Sequence, residues 1–513
     1  MIEKLKQNAD KKKENFNEFS TALGRKITSI SSAKDELYFL ENINKNPTDF
    51  INISNGSFFG FEHSKQEKPT PIYVPNEAIN HILFCGITRS GKGILAGIKS
   101  YEVLQQKNKG LIYIDVKQEA FTPQIIKEEL QKQGRENDLI IISYPYDFGY
   151  DGINKDDKPF QLHEKLCEAL EIASSKDEAT GFYKSVERMT LLGVINLVYN
   201  HNKDISYPII LETVKNLITD LESIREYKKE RYKAKPNIEL IEKYNRLYFP
   251  INEIEELNYS DDNLSALKTL YIKLFELINN ANIYHKHSID EALYNGKVLY
   301  IKADMLSSSS LKMLKILFMD ISQKARKKKA NCTVIADEIS FYATDSLSGA
   351  LATMAGFGVQ YILQLQDLAQ IQNDNLRSAI LTNCSVKLFY KISDKLTLEY
   401  VEKLGGDELV TNYSFTGVEH SYSQTVEPLL NATRVRAMWY KQNAILIAEY
   451  FNSAIFISTN FIPVKQEFNW SSTEMNTCVH KSLEKKEKQY YIHSKEVIQQ
   501  DKESKEDSVL NNF

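Results

Sequence analysis

Three short apolar runs mark the first part of the chain: His81-Ile-Leu-Phe-Cys85, Gly110-Leu-Ile-Tyr-Ile-Asp115 and Leu139-Ile-Ile-Ile-Ser143. An amphipathic stretch to about Gln106 separates the first two. Short runs without polar alternation, spaced by helical texture, predict strands buried on both faces of a parallel sheet. From about Phe160 to His287 the strand signal stops. Leu162–Ser175, Phe182–Tyr199, Ile209–Tyr227, Ile238–Leu247 and Asp262–Ala281 instead carry helical spacing, punctuated by Pro208, Pro236 and Pro250, which predicts an all-helical insertion. Strands resume at Lys297–Ile301, Cys332–Ala336, Val359–Leu363 and Ser385–Tyr390, and close with Ile445–Ala448 and Ala454–Ser458. The first 45 or so residues are charged and helical in part, notably Ser31–Asn42. Asn52–Pro75 reads as loops with short strands, and the charged chain beyond Val479 is expected to be disordered.

Composition narrows the class. The 513 residues are 42% apolar and 26% charged, as in ordinary globular proteins, and allow two to four domains. The 64 lysines and arginines against 68 acids leave a formal charge of −4, so contact with nucleic acid would need local patches. Five scattered cysteines without a Cys-x-x-Cys pair exclude a disulfide scaffold and a zinc ribbon. The N-terminus has no signal-peptide core, and no apolar run approaches the ~20 residues of a membrane span. The expected location is the cytoplasm, either free in solution or held at the inner face of the membrane by something else.

Two motifs carry chemistry. Gly86-Ile87-Thr88-Arg89-Ser90-Gly91-Lys92-Gly93-Ile94 follows a strand and opens a helix, the context of a Walker A loop. There, backbone N–H groups and the helix N-terminus cradle phosphate, and Lys92 reaches the β- and γ-phosphates. Gly93 stands where a Ser or Thr hydroxyl usually ligates Mg²⁺, so the metal would lean on water and a distal acid. Thr333-Val-Ile-Ala-Asp337-Glu338 is a strand ending in two acids, the Walker B pattern. Asp337 would hold Mg²⁺ through water, and Glu338 would orient or deprotonate the attacking water. The 245 positions between Lys92 and Asp337 (337 − 92) exceed what a compact nucleotide-binding sheet needs, and the helical insertion accounts for the excess. Gln366, ending a strand, is either a γ-phosphate sensor or a solvated strand-end amide.

The same residues resemble the coupling proteins of type IV secretion and conjugation, the TraG/TraD family of RecA-like motor ATPases. Asn80–Gly93 looks like that family's Walker A region, including Thr-Arg-Ser-Gly-Lys-Gly, so Gly93 is a familiar variant there. Asp115-Val-Lys117-Gln-Glu119 is similar to its Asp-Pro-Lys-Gly-Glu stretch, with Val116 and Gln118 replacing Pro and Gly. Gly358–Gln370 resembles its Gln-Ser-x-x-Gln-Leu motif, and Leu381–Cys384 with Thr397–Gly405 resembles the segment that follows. The similarity runs from about Pro71 to Thr459. It implies a DNA-stimulated homo-hexameric ATPase that uses ATP and Mg²⁺. Its implied partners are DNA, a relaxase or other relaxosome protein, and a secretion channel or membrane subunit. Two departures stand out: no transmembrane helices are visible, and Ala355-Gly356 replaces the candidate trans-acting arginine before Phe357-Gly358. Arg377 is a substitute by position, with a solvated helix residue as the competing reading.

The expected fold is therefore α/β, a RecA-like parallel sheet flanked by helices with an inserted all-α domain. Its expected divisions are an N-terminal segment (1–50), two motor halves (51–158 and 289–475), the insertion (159–288) and a charged tail (476–513). Two basic groups, Lys324–Lys329 and Lys228–Lys235, are candidates for DNA or simply solvated faces. Asp115–Glu119 lie at a strand end near the site and are expected to couple it to neighbouring subunits. An FtsK/HerA-type DNA translocase and a non-hydrolysing ATP-binding recruitment platform are the alternative functions.

Overall fold

The computed structural model describes residues 45–62, 70–143, 149–173, 178–201, 205–229, 261–279, 287–405, 407–416, 419–428, 430, 432–438, 443–451 and 453–470. The expected helical stretches at 31–42 and 238–247, the Arg231–Lys235 part of one basic group and the charged tail lie outside them. The chain divides into two units, 1–465 and 466–513. In the second, the Phe468 and Trp470 rings pack with centroids 4.6 Å apart.

The apolar runs become strands for the reason their pattern suggests: most of their side chains are excluded from water on both faces. Strands β3 (Ile82–Cys85), β4 (Gly110–Asp115), β7 (Cys332–Ala336) and β9 (Val386–Phe389) are buried throughout. Burying one aliphatic side chain contributes about 1.5–3 kcal/mol, so these strands anchor the core. With β5 (Leu139–Ser143), β6 (Val298–Lys302) and β8 (Val359–Leu365) they form seven parallel strands in the order β9-β3-β8-β7-β4-β6-β5. Beyond β9 the sheet continues antiparallel through β12 (Asn443–Ala448), β13 (Ile455–Ser458), β1 (Ser57–Glu62) and β2 (Thr70–Val74). A separate hairpin, β10 (Asp407–Thr416) with β11 (Glu419–Pro428), lies outside this sheet and was not anticipated from the sequence.

Helices cover the sheet. Helix α1 (Lys92–Leu104) follows β3, and α2 (Thr122–Lys132) follows β4. Between β5 and β6 come α3 (Pro159–Ala169), α4 (Glu178–His201), α5 (Tyr207–Lys229) and α6 (Asp261–Asn279), with no strand among the described residues there. Their apolar residues, such as Leu166, Val194, Ile210 and Leu270, share one continuous buried cluster with the sheet. After a short α7 (Asp290–Leu293) and β6, α8 (Ser308–Lys327) packs against α3. Buried Lys165 of α3 ties them together, donating to Asp320 of α8 at 2.7 Å and to Asp157 at 2.6 Å. The carboxyl-terminal turn of α8 carries Lys324, Arg326 and Lys327, where cations complement the helix dipole. Two of these are already used within the chain: Lys324 pairs with Asp290 at 2.9 Å and Lys327 with Asp156 at 3.0 Å. Among the described residues no helix is long and apolar enough to cross a membrane.

Parallel register brings four loops to one edge. Cys85 at the end of β3 aligns with Leu365 of β8, Ala336 of β7 with Leu363 of β8, and Ile114 of β4 with Ala336. The loops after β3, β8, β7 and β4 therefore open side by side at the carboxyl edge of the sheet, where open α/β sheets bind ligands.

Candidate functional site

The loop after β3 is built around glycine. A Cβ on Gly86 would stand 2.5 Å from the Cβ of Tyr390, just beyond the end of β9, so the loop passes too close to that residue for any side chain there. Gly91 precedes α1 at φ 116°, a conformation that favours glycine. No side chain caps the first turn of α1, which leaves its amino end facing the loop. Lys92 is 5% exposed, and its ammonium folds back on the loop, donating to the Gly86 carbonyl and, at 3.3 Å, to the Ile87 carbonyl. Burial lowers its pKa, against the pull of Glu338.

The loop after β7 carries the two acids. Asp337 is 3% exposed and Glu338 is fully buried, in a left-handed conformation at φ 44°. That conformation costs a non-glycine residue on the order of 1 kcal/mol and is typical of functional turns. The Glu338 carboxylate oxygen Oε1 lies 3.9 Å from the Lys92 ammonium. The Tyr342 hydroxyl fixes the turn by donating to the Asp337 carbonyl at 2.6 Å. Asp337 Oδ2 and Glu338 Oε2 are buried without a hydrogen-bond partner. Burial, first, and the Glu338 charge push the Asp337 pKa up to about 6, while Lys117 holds it down.

The loop after β4 proves to be part of the same site. Lys117 donates to Glu338 Oε1 and lies 3.4 Å from Asp337 Oδ1, so it pairs with both acids. Burial disfavours its charge, but the two carboxylates outweigh that and its pKa is raised. Asp115 organises the loop. Its carboxylate accepts from the backbone N–H groups of Lys117 (2.9 Å), Gln118 (2.8 Å) and Glu119 (2.7 Å) and from the Tyr300 hydroxyl (2.8 Å). Gln118 sits at φ 60°, the left-handed region where the family's glycine would be at ease. The sequence pattern placed this loop near the site but gave no sign that Lys117 reaches the Walker B acids. That contact depends on β4 lying beside β7, a neighbour relation between strands about 220 residues apart.

The remaining candidates separate cleanly. Gln366 follows β8 immediately, beside the P-loop: Gly86 N–H donates to the Leu365 carbonyl at 3.2 Å, and the Cys85 thiol approaches the Gln366 carbonyl at 3.8 Å. Ile87 is partly covered, Thr88 and Arg89 are exposed, Ser90 is buried, and Gly93 and Ile94 are partly covered. Arg377 is engaged in its own surroundings, on Asp374 at 2.6 Å and the Ile371 carbonyl at 2.8 Å. It lies in α10 (Asp374–Asn383), which is preceded by α9 (Ser346–Thr353) and followed, after β9, by α11 (Lys395–Gly405) and α12 (Ala432–Ala437).

Comparison with known proteins agrees with this architecture. Residues 331–439 match the family described as the TraM recognition site of TraD and TraG, a segment that includes Asp337, Glu338 and Gln366. No curated protein matches the chain by sequence. Among solved structures, the bacterial conjugative coupling protein TrwB without its first 70 residues superposes with a TM-score of 0.53 at 16% identity, covering 82% of this chain and 93% of that one. TrwB in complex with ADP and Mg²⁺ gives a TM-score of 0.53 at 15% identity, covering 79% and 90%. The sulphate-bound trigonal form gives 0.54 at 15% identity, covering 78% and 89%. The chain thus carries a segment shared with TraD and TraG on the P-loop fold of the conjugative coupling proteins.

Proposed function

We propose that this chain is an ATP-hydrolysing coupling protein that recruits a DNA–relaxase substrate and drives it toward a type IV secretion channel. The observation that carries the reading is the convergence of a Walker A lysine, two Walker B acids and a strand-end glutamine at one sheet edge. The fold it occurs on is that of TrwB, one structure of which holds ADP and Mg²⁺.

In this reading the Gly86–Ile94 backbone and the open end of α1 bind the nucleotide phosphates, and Lys92 leaves the loop carbonyls to reach the β- and γ-phosphates. Asp337 fits a Mg²⁺ site, because its Oδ2 is buried without a partner, and would hold the ion through water. Bound Mg²⁺ would neutralise charge on the phosphates. Glu338 orients and deprotonates the attacking water, and its partnerless Oε2 is the atom suited to that task. Gln366 senses the γ-phosphate from the end of β8. A cation supplied in trans belongs to a neighbouring subunit of a homo-hexamer, since Ala355-Gly356 provides none here. Of the basic group at 324–329, Arg326 and Lys329 remain for DNA phosphates, as Lys324 and Lys327 are paired internally and the Lys328 ammonium lies 4.5 Å from the Tyr294 ring centroid.

The test is steady-state ATP turnover of the purified chain with Mg²⁺, alone and with single- or double-stranded DNA, beside Lys92→Ala. Stimulation by DNA that disappears in the variant is the expected result. Turnover indifferent to DNA would remove the motor role and leave an ATPase of another purpose.

A further inference from the structure

The P-loop lacks the hydroxyl that normally follows its lysine, and the structure shows what fills the place. Gly93 lies in α1 and has no need of a left-handed conformation, so backbone strain does not exclude a side chain there. Space does. A Cβ on Gly93 would stand 2.8 Å from Glu119 Oε1 and 3.4 Å from both Cδ and Oε2. A serine or threonine hydroxyl lies one bond beyond that Cβ, so the Glu119 carboxylate occupies the region a hydroxyl would enter.

Glu119 is held there by its surroundings. Its N–H donates to Asp115 Oδ2 at 2.7 Å, and the Thr122 hydroxyl donates to its Oε2 at 3.2 Å, which turns Oε1 toward Gly93. Asp337, with its partnerless buried Oδ2, comes from the neighbouring β7 loop, where its Oδ1 lies 3.4 Å from the Lys117 ammonium two residues before Glu119. No group of three or more Asp, Glu, His or Cys side chains among the described residues could hold a metal unaided. Mg²⁺ bound with a nucleotide asks for less: one or two carboxylates, with phosphate oxygens and water completing its shell.

Resting on the nucleotide-site reading above, we propose that Glu119, delivered from the end of β4, supplies the metal-facing oxygen that Gly93 cannot. The exchange replaces a neutral ligand on the P-loop with a charged one on a different loop. Glu119 sits two residues from Lys117, which grips Glu338. Loading Mg²⁺–nucleotide would therefore tie the β4 loop to the P-loop and couple metal binding to the setting of the Walker B acids.

The test is Mn²⁺ binding to the ADP complex of the full chain, followed by electron paramagnetic resonance, with ADP affinity in EDTA measured in parallel. Glu119→Gln is expected to weaken Mn²⁺ binding by about tenfold while leaving metal-free ADP affinity unchanged. Gly93→Ser should also weaken it, because the new side chain collides with Glu119. The double variant Gly93→Ser/Glu119→Ala should bind Mn²⁺ more tightly than Glu119→Ala alone, since a hydroxyl then has both the position and the room. Unchanged Mn²⁺ affinity in Glu119→Gln, or no gain in the double variant, would overturn the proposal. Failure of wild type to bind ADP even in EDTA would instead sink the nucleotide reading and this inference with it.

Discussion

At the scale of single residues, the site is a charge network rather than a pair of motifs. Lys117 and Lys92 face Asp337 and Glu338 in a pocket where the acids are almost wholly buried. Removing one partner of a buried pair leaves a charge that neither water nor protein satisfies. Lys117→Met is therefore expected to destabilise the nucleotide-free protein by ~3 kcal/mol, read from urea unfolding. Adding Glu338→Gln should recover part of the loss. An additive or larger loss in the double variant would mean that Lys117 stabilises the fold by packing and not through this pair. The residues of the P-loop and the Walker B pair were legible from the chain because each motif is contiguous. The Asp115–Glu119 loop was also legible as lying near the site, but not the contact of Lys117 with the two acids, which arises from strands that are neighbours only in the folded sheet.

At the scale of elements, apolar runs without alternation identified the strands of the parallel sheet, and the loss of that pattern identified the helices between β5 and β6. The hairpin β10–β11 escaped because Asn412, Ser414, Ser421, Ser423 and Gln424 dilute the apolar signal on which the reading depended. A different device joins β3 to β8. His81, just before β3, is fully buried: its Nδ1 accepts from the Tyr361 N–H at 3.0 Å and its Nε2 donates to the Leu351 carbonyl at 2.9 Å. Burial lowers its pKa to about 4, so the folded protein binds this proton less readily than the unfolded chain. The contribution is intact above the ordinary histidine pKa of about 6.5 and is lost as pH falls from there toward 4. Relative to His81→Asn, wild type should lose ~3 kcal/mol of stability across that window, measured by chemical unfolding at a series of pH values. Parallel pH profiles for the two proteins would show that His81 stays neutral for no thermodynamic reason of this kind.

At the scale of the whole molecule, the long separation of Lys92 from Asp337 is resolved by topology. The chain leaves the sheet after β5, builds α3 to α6, and returns at β6 beside the strand it left. The Walker motifs are thus distant in sequence but close across the sheet, their strands β3 and β7 separated only by β8. The helices share one buried core with the sheet rather than packing as a separate body. Ring assembly would supply from a neighbour the cation that Ala355-Gly356 does not provide. Sedimentation with and without a non-hydrolysable ATP analogue should show a species of about six chains favoured by nucleotide. A monomer under both conditions would mean that the trans cation comes from another protein.

The central claim is that Lys92, Asp337 and Glu338 form a hydrolytic nucleotide site. Its most direct test is ATP affinity and ATP turnover measured on the same samples of wild type and Glu338→Gln. Retained affinity with turnover reduced by at least about 100-fold in the variant is the predicted result. Turnover equal in the two proteins, or ATP bound tightly by wild type with no turnover at all, would contradict it.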